Sequence, residues 1–173
     1  DGPDASLGDL ATCHPASPTS RIVEEAPFDS ATAYSMAFDK MNDLYSESTV
    51  EGVARFLLVL ADEILSFEVG RVLMIQPDRF EFSEMARVGD PGSMVELPRP
   101  VKTGVSGSVL LEGTPLMLEN VRDCWLFDQE LDEMEGIQTT NMLVVPMCHE
   151  GTGLGVIELR NSPRSGGFRQ EEC

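Results

Sequence analysis

Positive charge is scarce in this chain: twelve lysines and arginines face thirty aspartates and glutamates, for a formal net charge of -18. So acidic a surface repels a phosphate backbone or an anionic membrane face, which makes a nucleic-acid polymer or a membrane an unexpected partner. Small anions are not excluded, because backbone N–H groups bind phosphate without any basic side chain. Long apolar runs are also missing. The stretch from Phe56 to Ala61 is closed at once by Asp62 and Glu63, far short of the roughly 18 residues that span a bilayer. No basic start followed by an apolar segment marks a secretory signal, and the chain begins at Asp1 as a fragment would. Cysteine is sparse too. Cys13, Cys124, Cys148 and Cys173 follow no disulfide framework or C-x-x-C spacing, the usage of a reduced, cytoplasmic chain. His14 and His149 each follow a cysteine, one pair in a polar tail and the other on a hairpin turn. Neither pair makes a convincing zinc site or Cys/His nucleophile, so no metal, cofactor or catalytic residue is expected.

What the chain does have is periodicity. Its 173 residues, 42% of them hydrophobic, suit one domain with a sizeable core and some extra length. Residues 1–30 are rich in Asp, Pro, Ser, Gly and Ala and read as a linker or tail, leaving a domain over 31–173. Tyr34, Phe38, Met41 and Tyr45 recur at helical spacing and predict a first helix from Thr32 to Tyr45. Those residues either cover a sheet or form a seam for a second copy, a homodimer through helices. Ser48 and Glu51 make a capping box before the broad stripe of Val50, Val53, Ala54, Leu57, Leu58, Ala61, Ile64 and Leu65, the second helix.

After Gly70, RVLMIQ and FEFSEMARV read as two strands around a turn, and MVELPRPV as a third broken by prolines. TGVSGSVLLEGTPLMLEN reads as a short helix and a strand, DCWLFDQELDEMEG as an acidic helix, and NMLVVPMCHEGTGLGVIELRN as a closing hairpin. Long helices at the start and strands interleaved with short helices give an α+β class: an antiparallel sheet with the first helices on one face and short helices over the other.

The order TGVSGSVLLEGTPLMLENV, LFDQELDEMEG, TTNMLVVPM, GLGVIELRN and GFRQEE resembles the GAF domain, a small-molecule sensor module of signalling proteins, over roughly Ser46 to Glu172. Within that family it is most similar to the regulatory domains of cyclic-nucleotide phosphodiesterases. The resemblance implies a regulatory module rather than an enzyme in itself, attached to an output domain such as a phosphodiesterase or cyclase. It further implies a small ligand, cyclic GMP or cyclic AMP, in a pocket under a lid. Asn161, Phe168 and Glu172 match the family's structural motif, with Ser162 where a lysine and Cys173 where a second acid would stand. Since the last helix of the fold would begin there, the natural protein is expected to continue past Cys173.

Carried over position by position, the implied ligand-binding residues are Val105, Ser106, Phe127, Asp128, Thr139 and Glu158. The phosphate would sit on N–H groups of Val105 to Ser108, Phe127 and Asp128 would lie on the lid helix, and Thr139 and Glu158 would face the nucleoside. Glu135 stands where relatives have a small hydroxyl residue and would repel a phosphate. Glu158 shares a strand face with Val156 and Arg160, so its alternative is a solvated Glu/Arg pair. A sulfoxide reductase of this type would need a cysteine where Ser106 stands, and a bilin attached at Cys124 would need a neighbouring histidine.

Overall fold

The computed structural model describes residues 29–89, 99–164 and 166–168. Two helices open it, α1 (Ser30–Leu44) and α2 (Val50–Leu65). The sheet and its short helices follow: β1 (Val69–Gln76), β2 (Glu81–Val88), α3 (Gly104–Glu112), β3 (Leu116–Leu118), α4 (Gln129–Met134), β4 (Met142–His149) and β5 (Thr152–Arg160). The strands make one antiparallel sheet in the order β2-β1-β5-β4-β3. This is the α+β architecture that the periodicities predict. The 1–30 tail, most of the third strand, Glu172 and Cys173 lie outside the described residues, except for Asp29 and for Ser30, which already starts α1.

Strand alternation divides the core into two layers. Leu73, Phe82, Val144 and Val156 face α3, in a cluster with Val105, Val109, Leu118 and Val121. Val72, Leu143 and Leu159 face the other way and pack with Ala54 and Leu58 of α2 and with Phe168. Ala54, Leu58, Ala61 and Leu65 fall at steps of four and three, so α2 buries one stripe on the sheet.

The start of α2 departs from the capping-box expectation. Thr49, in extended backbone, is the cap, and its Oγ1 accepts from the Gly52 N–H at 3.0 Å. Ser48 is one residue too early, which leaves Glu51 in the first turn, where its charge still favours the helix dipole. The α1 seam does not cover the sheet: α1 rests on α2, linked by the Lys40–Glu63 ion pair, while Tyr34, Phe38 and Tyr45 are exposed.

Only the end of the proline-bearing segment is described, and there it docks on β2. The Phe82 N–H donates to the Arg99 carbonyl and the Val101 N–H to the Phe80 carbonyl. That contact brings Arg99 to the α3 side of the sheet. Gly104 then opens α3 at φ +72°, and a Cβ at Gly107 would lie 2.5 Å from the Val101 carbonyl oxygen. The helix therefore sits against the loop only because no side chain intervenes.

Candidate functional site

On the α3 face the sheet carries charge. Arg71 of β1 is the register partner of Glu158 on β5, and Arg160 follows on the same face. All three are buried. Buried charges persist only when paired and hydrogen-bonded, and each of these is. Glu158 Oε2 accepts from Arg160 Nη2 at 3.0 Å, and Glu158 Oε1 accepts from the Ser106 hydroxyl on α3. Arg71 grips Glu135 with two parallel bonds, 3.0 and 2.6 Å. Arg99 also pairs with Glu135, and its Nη1 lies 4.0 Å from Glu158. Arg160 Nη1 donates to Asp132 at 2.7 Å.

Asp132 lies in α4 and Glu135 is its C-cap. The short helix over the cavity is thus clamped to the sheet by arginines at both positions. Between sheet, α3 and α4 lies a cavity of about 480 Å³, within the range of small-molecule sites. Leu73, Phe82, Met142, Glu158 and Arg160 form its floor, Thr103 to Ser106 one wall, and Trp125 to Asp132 the lid, with Arg99 and Pro100 beside them.

The network sets the protonation of Glu158. Burial alone would raise its pKa, but Arg160, Arg71, Arg99 and the Ser106 hydroxyl outweigh burial and hold it at about 2. Burial lowers the Arg99 pKa to about 10, against the pull of Glu158 and with the repulsion of Arg71 and Arg160. Burial lowers that of Arg160 too, with Glu158 and Asp132 resisting and Arg71 assisting.

Five of the six implied ligand residues, Val105, Ser106, Phe127, Asp128 and Glu158, line this one cavity. Thr139 does not. Its N–H and hydroxyl both go to Asp132, at 2.8 and 2.5 Å, so it orients the lid acid from behind. Phe127 and Asp128 precede the lid helix: Asp128 accepts from the Leu131 N–H at 3.0 Å and caps α4. The unbonded N–H groups of α3 are those of its first turn, Gly104 to Ser106. Ser108 turns its hydroxyl to Glu112 instead. Glu135 does not present a free charge to a ligand, because Arg71 and Arg99 occupy it. The Glu158–Arg160 pair faces inward rather than to solvent.

Asn161 ties separate segments together. Its side chain accepts from the Thr140 N–H at 2.7 Å and donates to the Gln138 carbonyl at 3.0 Å and to Glu68 at 2.6 Å. It joins the end of β5 to the segment before β4 and to the approach to β1. The following residue is held by Asn141, whose side-chain oxygen accepts from the Ser162 N–H at 2.8 Å. Phe168 is buried in the α2-side cluster. Cys148 and His149 end β4 at the exposed hairpin, and Cys124 is buried. Sequence reasoning missed Arg71, Arg99 and Asp132; the available signal, for Arg71 alone, was a basic residue within an apolar strand.

A lidded cavity between an antiparallel sheet and short helices defines the class: an α+β module with a cavity of small-molecule size. The family model described as GAF domain matches residues 47–173, and the chain belongs to the GAF domain family. Its fold is similar to the GAF domain of a phosphoenolpyruvate-protein phosphotransferase from Coxiella burnetii, at 17% identity and TM-score 0.72, over 83% of this chain and 86% of that one. It is also similar to a free methionine-R-sulfoxide reductase from Neisseria meningitidis in complex with its substrate, at 13% identity and TM-score 0.65, over 86% and 83%. A third likeness, to residues 122 to 287 of a methyl-accepting chemotaxis protein, has 18% identity and TM-score 0.63, over 76% and 84%. No curated protein sequence matches the chain. These likenesses establish the GAF fold without singling out the phosphodiesterase branch. Among the described residues, no helix is long and apolar enough to cross a membrane.

Proposed function

We propose that this domain is a ligand-sensing regulatory module whose small-molecule ligand enters the cavity under α4 and meets Glu158. One observation carries the reading: a buried, ionised carboxylate at the floor of the cavity, held by Ser106 and Arg160. Such a group accepts N–H or O–H donors from a ligand with no reorganisation. The arginines that hold this floor also clamp α4. A ligand that alters one contact therefore biases the other, and differential binding to two lid positions is what a sensor needs. Catalysis has less support, because Ser106 supplies a hydroxyl where a reductase of this type needs a thiol, and Cys124 does not line the cavity.

Cyclic GMP or cyclic AMP is the ligand implied by the resemblance. The acceptor at Glu158 and the open first turn of α3 support it; the acidic lining opposes it, since Arg99 and Arg160 are already engaged by acids. A thermal-shift screen of cyclic nucleotides, amines, amino acids and neutral metabolites tests the module reading. A ligand at one hundred times its dissociation constant adds about 2.7 kcal/mol. At roughly 2 to 4 °C per kcal/mol, the rise is plain, and Glu158→Gln abolishes it. If no class of compound shifts the melt, the reading fails.

The exposed Tyr34, Phe38 and Tyr45 favour a second use, self-association through α1. Light scattering at high protein concentration should show dimers that Phe38→Glu dissolves, and a strict monomer would contradict it.

A further inference from the structure

The buried part of the site is electrically balanced. Arg71, Arg99 and Arg160 are matched by Asp132, Glu135 and Glu158, so the interior has no spare positive charge for an anion. The mouth is different. Asp128 and Glu130 line the same cavity and, among the described residues, have no basic partner. Beside them are the exposed Trp125 ring and the half-buried Phe127. At the floor, the Arg160 Nε–H is buried without an acceptor. That donor is closed off from the cavity, so the polar groups open to a ligand are those at the mouth.

An indole and unpaired carboxylates lining one cavity mouth are the chemistry that holds a positively charged nitrogen. We infer that the cavity takes an organic cation, with its charged nitrogen at the mouth among Trp125, Phe127, Asp128 and Glu130. The inference rests on the cavity being the ligand site and adds the charge class of the ligand. The strongly acidic chain supports it, because its field gathers cations at the mouth and excludes polyanions. Each feature has a separate role: acids for attraction and the ring for apolar contact.

The test compares choline with its uncharged isostere 3,3-dimethylbutan-1-ol, following the fluorescence of Trp125, the single tryptophan of the chain. Choline should give a saturable change that weakens as salt rises, with the isostere at least about tenfold weaker. Asp128→Asn keeps the α4 cap, since asparagine caps as well as aspartate. It and Glu130→Gln should each weaken choline by roughly two- to fivefold without altering the melt. An equal response to the isostere, or no saturable response to choline, overturns the proposal. Cyclic GMP is titrated in parallel. If it saturates the signal where choline does not, the cavity remains a ligand site and the cation assignment alone falls; if neither compound nor any screened ligand binds, both fall.

Discussion

Replacing Glu158 by glutamine keeps the shape of the side chain and removes its charge, leaving Arg160 and Arg99 with one acid fewer. The folded protein holds this carboxyl at about 2 against an ordinary value of 4.5. A group whose pKa is depressed by folding stabilises the fold above its unfolded pKa, and that stability is lost as pH falls through the folded pKa. Here the window runs from about pH 5 down to about pH 2. At 1.36 kcal/mol per unit the whole effect is about 3 kcal/mol, with about 2 kcal/mol of it gone by pH 3. Urea unfolding of both proteins between pH 3 and pH 7 isolates the contribution, because every other titrating group is common to the two. Glu158→Gln should be the less stable by about 3 kcal/mol at neutral pH, and the two stability curves should converge as pH falls. Parallel curves over that range would refute the claim that the arginines hold Glu158 ionised.

Arg71→Met breaks the two-bond Arg71–Glu135 pair inside the protein and should cost about 3 to 5 kcal/mol, and Arg71→Met with Glu135→Leu should regain little of it, because Arg99 then loses its acid, as denaturation midpoints will show. Asn161→Ala removes bonds to two segments, the stretch before β4 and the approach to β1, and should cost about 1 to 3 kcal/mol. Because Asn161 sits at φ 58°, Asn161→Gly separates backbone strain from the bonds: a glycine variant as stable as wild type would deny the bonds any role. His149→Ala, at the exposed hairpin end, should stay within about 0.5 kcal/mol of wild type in the same titration.

The order of elements was legible because each carries a local period, whether the α2 stripe or the alternation of β5. Boundaries were less so. Ser48 and Thr49 are both good caps, and the geometry of the chain entering α2 chose the second. Asp128 likewise stands before α4 because its carboxylate serves the helix from outside. Alternation placed Glu158 with Arg160 on one face, but alternation is silent about which face is interior. That was decided by α3 and α4 closing over it. The buried arginines were hidden for a different reason. Arg71 and its partner Glu135 are 64 positions apart, and no spacing rule links them until the sheet and lid bring them together. Thr139 illustrates the converse: a resemblance carried the residue over, while its hydrogen bonds to Asp132 place it one layer behind the cavity.

The central claim is that a small molecule is sensed between the sheet, α3 and α4. The measurement that tests it most directly is a ¹H–¹⁵N correlation spectrum recorded while titrating a compound that raises the melting temperature. The account predicts that shifts concentrate at the amides of Gly104 to Ser106, Trp125 to Leu131 and Glu158, together with the Trp125 indole N–H. Shifts confined to α1, α2 and the sheet face beneath them, with those cavity amides unmoved, would contradict it.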